Sequence, residues 1–215
     1  AGAQERRPRR RRRAGAAPPL AGLNRRFGSC IDSAVALTAT IYRWDVTLSD
    51  VERGVYEQLE LRLARHPSES VRYLWLRTFA YCLAYEEGIA FSKGGLSDTS
   101  EPPVAITDLT GRRLAWIDVG APSAERLHKA SKSCDRVELY TDDPLTHLKR
   151  QLEKQEVFRE ESIKVWEFPT DFIGWLEQRD ERALSFELVR NDGRLYLTLS
   201  GEVREAELRC RALRD

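Results

Sequence analysis

The stretch VAITDLTGRRLAWIDVGAPSAERLHKASKSCDRVELY, residues 104–140, decides the fold of this chain. Its first half predicts a hairpin in which Val104–Asp108 turns through residues 109–112 into Arg113–Val119. Side chains alternate between the two faces of a strand, so Asp118 points away from the face that its aliphatic neighbours cover. Because a purely structural strand would more simply end in an aliphatic residue, this carboxylate marks a candidate site.

A short helix and a third strand complete this unit. Ser123 is a suitable cap for a helix over Ala124–Ser133, and a strand over Arg136–Tyr140 follows. The helix carries Arg126 and Lys129 three residues apart, which makes them neighbours on one face. The chain therefore predicts an acid at a strand end beside cations on the next helix.

Composition and charge limit the class of protein. The 215 residues are 41% hydrophobic, and no apolar run reaches the roughly 18–20 residues that a membrane-spanning helix needs. The net charge of +1 hides an asymmetry, because residues 1–34 hold nine Arg and two acids. Residues 35–215 hold the remaining 26 basic and 32 acidic residues, so the predicted single domain is acidic. Residues 1–34 predict a disordered Arg-rich extension, either a nucleic-acid arm or a dispensable segment.

Cysteine spacing argues against a disulfide framework and against a zinc site. Cys30, Cys82, Cys134 and Cys210 are scattered without a CxxC pair. Cys82 and Cys134 fall at positions where a buried thiol is expected. This pattern fits a reducing compartment, and we expect a cytoplasmic protein without membrane contact.

The remaining segments predict a mixed α/β domain, one mixed sheet flanked by helices. Residues 55–65 are ambiguous, since alternating leucines favour a strand whereas the Glu and Leu content also suits a helix. His66-Pro-Ser-Glu69 predicts the start of a helix. The predicted strands are 38–48, 89–92, 163–168, 183–189 and 194–199, and the predicted helices are 67–85, 143–156 and 170–178, the last capped by Thr170.

Several short motifs spread over residues 36–200 resemble a known family when taken together. They are LTATIY at 37–42, ARHPSE at 64–69, FSKG at 91–94, EP at 101–102, WIDVG at 116–120 with Pro122, RLHKA at 126–130 and NDG at 191–193. This combination is similar to the bacterial YaeQ family, whose function is not established. The family begins near Leu37, so the Arg-rich extension lies outside the resemblance.

The resemblance implies a compact variant of the PD-(D/E)XK nuclease-like fold, with an α-β-β-β-α-β core running from the 67–85 helix to the 136–140 strand. Such nucleases hold Mg²⁺ or Mn²⁺ on carboxylates to activate water for phosphodiester hydrolysis. By resemblance Glu69 and Asp118 are the metal ligands. The usual lysine position is Gly120, so Lys129 with Arg126 is the predicted catalytic substitute.

One departure from the family pattern weakens the prediction of an enzyme. Many relatives read Glu-Pro-Asp where this chain has Glu101-Pro102-Pro103. Asp108 does not replace the missing acid. In the predicted hairpin the numbers of two paired residues sum to about 221, so Asp118 faces Pro103. Asp108 lies five residues farther along the strand, roughly 17 Å from Asp118. Glu101 is nearer and is the third predicted metal ligand.

Each of these residues also has a purely structural interpretation. Asp118 could form a salt bridge with Arg126 or Lys129. Glu69 could be a first-turn carboxylate favoured by the helix dipole, worth about 0.3–1 kcal/mol. The five tryptophans are expected in the core or half-buried on the sheet and its helices.

Three functions therefore stay open. The first is a degenerate nuclease-type site with metal-dependent phosphodiesterase activity. The second is a non-catalytic descendant that binds nucleic acid or a protein, and the third is a protein that binds a nucleotide or small anion. We expect a monomer in each case.

Overall fold

Two β-sheets form the framework of the protein in the computed structural model, which describes residues 39–92, 100–153 and 155–214. Residues 36–215 form one compact unit. In chain order the elements are β1 (Thr40–Asp50), β2 (Val55–Arg65), α1 (Val71–Leu83), β3 (Ile89–Phe91), β4 (Val104–Thr107), β5 (Arg113–Val119), α2 (Ala124–Ser133), β6 (Arg136–Thr141), α3 (Leu145–Leu152), β7 (Lys164–Glu167), α4 (Thr170–Glu177), β8 (Ala183–Asn191), β9 (Arg194–Leu199), β10 (Glu202–Glu207) and β11 (Arg209–Ala212).

The first sheet has five strands in the order β10-β9-β8-β1-β2, and the second has six in the order β11-β7-β6-β5-β4-β3. Both are mixed, since β1 runs parallel to β8 and β6 runs parallel to β5 and β7, while the other pairs are antiparallel. The predicted mixed α and β class is confirmed, but the strands form two mixed sheets where a single one was expected. The α1 helix packs against both sheets.

The core around α1 is aromatic. The rings of Trp75 on α1 and Trp44 on β1 lie 4.2 Å apart between centroids, which joins the helix to the first sheet. One turn later Phe79 stacks on Phe168, which follows β7, at 5.5 Å. These contacts belong to one buried cluster that includes the inner faces of both sheets. A second cluster lies on the other face of the six-stranded sheet, under α2 and α3.

The ambiguous segment at residues 55–65 is a strand. Leu59, Leu61 and Leu63 are buried while the residues between them are exposed, which is the two-residue period of a half-buried strand. Its partner is β1 along the full length of both strands. The prediction for β1 was shifted by two residues, and residue 38 lies outside the described residues.

The central unit is confirmed. β5 and α2 have the predicted bounds, and Ser123 accepts a hydrogen bond from the Arg126 amide at 3.2 Å as the helix cap. Val104 pairs with Ile117, so paired numbers sum to 221 as predicted, but a register shift after Ile106 pairs Thr107 with Arg113, where the prediction had Asp108. The Asp108 side chain stabilises the turn of this hairpin, because its Oδ1 accepts hydrogen bonds from the backbone amides of Thr110 and Arg112.

Helix ends were predicted less well. α1 begins at Val71 with Ser70 as its cap, so the predicted start at residue 67 was wrong, and Glu69 lies outside the first turn where its structural alternative placed it. Thr170 does not cap α4, because its hydroxyl donates instead to the Asp142 carbonyl at 3.0 Å. α3 is shorter than the predicted 143–156 helix, and β10 and β11 were not predicted.

Buried positions follow the sequence pattern. Cys82 and Cys134 are buried free thiols, as predicted, and Trp44, Trp75 and Trp116 are fully buried. Trp166 and Trp175 are half-buried, which also confirms their prediction. None of the helices in the described ranges is long and apolar enough to cross a membrane. The predicted Arg-rich extension falls outside those ranges.

Candidate functional site

Asp118 lies at the end of β5 and points to the α2 side of the sheet. It shares this face with Trp116 and is 2% exposed. Its Oδ2 accepts hydrogen bonds from the Trp116 indole at 3.1 Å and from Arg126 Nε at 2.6 Å. Its Oδ1 accepts the backbone N–H of Val119 at 3.1 Å. Both carboxylate oxygens are therefore engaged by donors of the protein itself.

Arg126 in the first turn of α2 holds this carboxylate to the neighbouring segment. Besides the bond to Asp118, its guanidinium donates to the Glu101 carbonyl oxygen at 2.9 Å. The same group lies 5.6 Å from the centroid of the Trp116 ring. The structure thus confirms the salt-bridge interpretation of Asp118, with Arg126 rather than Lys129 as the partner.

Glu69, just before the cap of α1, forms a second and more deeply buried pair. Its Oε1 lies 2.9 Å from the Arg77 guanidinium, and its Oε2 accepts the His66 amide at 3.2 Å. Burial raises the pKa of Glu69, and the positive charge of Arg77 opposes that shift. Arg77 was not singled out in the sequence. Its position within the apolar face of α1 was the sequence signal that could have indicated a buried ion pair.

Glu101 lies at the edge of the site. Its carboxylate accepts a hydrogen bond from Arg113 at 2.5 Å, and nearly half of its side chain is exposed. The Arg113 guanidinium lies 5.0 Å from the Trp116 ring centroid, so Arg113 and Arg126 both contact this indole. The Glu101 backbone, and not its carboxylate, touches the Asp118–Arg126 pair.

Tyr73 on α1 links the surroundings of the two buried acids. Burial raises the pKa of Tyr73, and the negative charges of Asp118 and Glu69 raise it further. A side chain at Gly120 would begin 3.8 Å from the Tyr73 ring, and Gly120 has a φ of +78°, which favours glycine. Tyr73 stays a neutral phenol and was not predicted as part of the site.

The acids do not fit a divalent cation in the arrangement described. Mg²⁺ keeps several waters and needs free carboxylate oxygens, whereas Asp118 and Glu69 are buried and each faces a guanidinium. Across residues 39–92, 100–153 and 155–214 no three His, Cys, Asp or Glu side chains converge in a group suited to a metal. Metal binding by Glu69, Asp118 and Glu101 stays a prediction.

Cationic side chains line two cavities beside α2. Ser123, Glu125, Arg126 and Lys129 border a cavity of about 340 Å³. A second, of about 330 Å³, is bordered by Arg112, Arg113, Leu114, Lys132, Ser133, Cys134 and Asp135. Lys129 and Lys132 are exposed, and neither forms an ion pair with any described residue. We call Arg112, Arg113, Arg126, Lys129 and Lys132 the α2 ridge.

Comparison with known proteins gives one consistent result. The family model described as YaeQ protein matches residues 35–208. The uncharacterized protein YaeQ of Escherichia coli (strain K12) is 27% identical over 165 residues, which are 76% of this chain and 91% of that protein. The Salmonella typhi YaeQ protein is 28% identical over 166 residues, with the same coverage of both chains.

Two solved structures share the fold. The crystal structure of the YaeQ protein from Pseudomonas syringae has a TM-score of 0.71 at 29% identity and covers 80% of this chain and 95% of its own. The YaeQ protein from Xanthomonas axonopodis pv. citri has a TM-score of 0.73 at 27% identity, and the shares are 81% and 98%.

Proposed function

The chain belongs to the YaeQ family, and we propose that it binds the phosphate backbone of nucleic acid on the α2 ridge without cleaving it. In this proposal the domain is a PD-(D/E)XK-type fold whose acidic site has become an ion pair. The observation that carries the proposal is the contact of 2.6 Å between Arg126 and Asp118. The arginine stands against the carboxylate where a nuclease would need its metal ion.

The Asp118–Arg126 pair is costly to open. Removing one partner of a buried pair leaves an uncompensated charge, which typically costs about 3–5 kcal/mol. A metal ion would have to displace Arg126 and also the indole donor of Trp116. If the ion pair keeps a divalent cation out, this site lacks the metal ion that activates water in nucleases of this type, so we expect binding without hydrolysis.

The spacing of the ridge suits successive phosphates. Arg126, Lys129 and Lys132 recur every three residues on α2, which spans about 9 Å at 1.5 Å per residue. In double-stranded DNA each strand carries one phosphate per about 3.4 Å of helix axis, so this length covers two to three phosphate steps of one strand. Arg112 and Arg113 extend the ridge, because they line the same cavity as Lys132.

A local patch is required because the domain as a whole is acidic. Residues 35–215 hold more acids than bases, so long-range attraction cannot supply the affinity. Three acids near the ridge are held in ion pairs, whereas Glu125 borders the same cavity as Lys129 and pairs with no cation in the described part of the chain. Asp118 pairs with Arg126, Glu101 with Arg113, and Asp135 with Arg159 at 3.1 Å. The lysines are therefore left available for phosphate.

The test is fluorescence anisotropy of a labelled double-stranded oligonucleotide over a range of salt concentrations. Lys129→Glu and Lys132→Glu should each weaken binding about equally for all sequences and reduce the salt slope by about 1. Lys164→Glu, an exposed lysine on β7, is the matched control and should behave as the parent. The Arg-rich segment is present in all variants, so the differences report the ridge.

Metal-dependent hydrolysis is the competing function, and the same samples address it. The oligonucleotide is incubated with Mg²⁺ or Mn²⁺ and analysed for cleavage. Cleavage that disappears in Asp118→Asn would contradict the proposal and support a nuclease. Equal affinity of the parent and both lysine variants would remove the ridge as the binding surface.

A further inference from the structure

β2 is a long edge strand. It occupies one end of its five-stranded sheet and pairs with β1 over eleven residues. Within the described part of the chain no strand pairs with its other side. The Ala64 carbonyl on this edge accepts a hydrogen bond from Arg77 at 3.3 Å. An edge of this length otherwise presents unpaired backbone groups, and proteins normally shorten, cover or pair such edges.

The backbone groups that point outward along this edge can be identified. The Arg43 amide donates to the Arg182 carbonyl at 2.7 Å, which lies on the β8 side of β1. Arg43 and its neighbour Arg62 are therefore a non-hydrogen-bonded pair, and the N–H and C=O of Arg62 point away from β1. The same holds for Glu60, two residues earlier.

Like charges face each other on the exposed side of this sheet. Arg43 lies directly opposite Arg62, and Asp45 lies directly opposite Glu60. All four side chains are exposed, and none forms an ion pair with another described residue. Like charges directly opposite on antiparallel strands are destabilising. An isolated copy gains nothing from this arrangement.

We propose that β2 pairs antiparallel with β2 of a second copy, around a two-fold axis at Leu61. The two five-stranded sheets then become one sheet of ten strands. In this register Arg62 of each copy lies opposite Glu60 of the other, and their outward backbone groups form hydrogen bonds. Across the four neighbouring strands, one row of side chains is then Arg43 and Arg62 of one copy, followed by Glu60 and Asp45 of the second copy. The two like-charged pairs therefore meet at an attractive contact in the middle of the row.

Neighbouring registers are less favourable. A two-fold axis at Glu60 places this acid opposite its own copy, and an axis at Arg62 does the same for the arginine. The register at Leu61 also sets Leu61 beside Leu61 and Leu59 beside Leu63, so the buried face remains apolar across the junction. Charge complementarity thus selects a second copy of this chain as the occupant, in place of the expected monomer.

The test is sedimentation equilibrium of the full chain over a range of concentrations. The parent should sediment at twice 24.7 kDa. Glu60→Arg and Arg62→Glu should each weaken association by roughly tenfold or more, because two attractive pairs become repulsive. The double variant, Glu60→Arg with Arg62→Glu, restores opposite charges across the axis and should dimerise again. Glu187→Arg, exposed on the same sheet but on an inner strand, is the control.

Three results would overturn the proposal. The first is that the parent stays monomeric at all concentrations. The second is that the single charge reversals do not weaken the dimer, or that the double variant does not restore it. The third comes from amide exchange at Glu60 and Arg62. Protection that persists in a monomeric variant would mean that another segment of the same chain covers the edge. Urea unfolding of each variant checks that it is folded.

Discussion

Two arginine–carboxylate pairs stand near the same tyrosine, and they differ in how far they are removed from solvent. In the Glu69–Arg77 pair both side chains are at most 4% exposed. In the Asp118–Arg126 pair the acid is 2% exposed and the arginine 19%, on the border of a cavity. The first pair is closed off from solvent, whereas the second borders a surface that a ligand can reach.

The largest expected effect is on the deeper pair. Arg77→Leu leaves the Glu69 carboxylate buried without its counter-charge and should lower the free energy of unfolding by about 3–5 kcal/mol at neutral pH. Urea denaturation measures it. The double variant Glu69→Gln with Arg77→Leu removes the charge and should recover much of this loss. If Arg77→Leu is as stable as the parent, the two pairs do not differ in the way described.

A smaller loss is expected at the outer pair. Asp118→Asn removes the charge but keeps an acceptor for the indole of Trp116, so the cost should be about 1–3 kcal/mol. The same change removes a negative charge beside the α2 ridge and should tighten oligonucleotide binding. Anisotropy and urea unfolding are measured on one sample. Weaker binding in a folded Asp118→Asn protein would contradict the assigned role of the ridge.

The two helix caps provide a matched comparison, because removing either one should lower the free energy of unfolding by about 1 kcal/mol. Ser70 caps α1, which carries Arg77, and Ser123 caps α2, which carries Arg126. Replacing either serine by alanine should cost about 0.5–2 kcal/mol of stability. Only Ser123→Ala should also change oligonucleotide affinity, because its helix carries the ridge. An equal effect of both caps on affinity would mean that binding follows stability and not the ridge.

The smallest effect concerns pH. Burial raises the pKa of Glu69 above its ordinary value of 4.5, so the folded protein keeps this proton to higher pH than the unfolded chain. Its contribution to stability is therefore full below pH 4.5 and declines as the pH rises through the raised value. Glu69→Gln should flatten this part of the profile of unfolding free energy against pH. An unchanged slope in Glu69→Gln would assign the pH dependence to other groups.

Local signals explain what was predictable. β5 and α2 have the predicted bounds because strand alternation, the Gly120 break and the Ser123 cap are all encoded within a few residues. The register of the hairpin followed from its turn as far as Ile106, whereas the irregularity between Ile106 and Thr107 was not predicted. Arg126 was placed correctly beside Asp118 because one loop separates their elements.

Long-range contacts explain what was missed. Arg77 meets Glu69 only because α1 begins at Val71, after a Ser70 cap that the preceding proline motif obscured. The division into two sheets rests on pairing between distant segments, such as β1 with β8, which no local pattern contains. β10 was missed because most of its side chains are exposed, so it has little apolar alternation.

The most direct test of the Asp118–Arg126 pair as a replacement for a metal site is calorimetric titration of Mn²⁺ into the full chain and into Asp118→Asn. We predict no heat of binding at millimolar metal in either protein, because Arg126 already neutralises the carboxylate. Binding to the parent that is lost in Asp118→Asn would show that the carboxylate is free to hold a metal ion, and would contradict the proposed loss of catalysis.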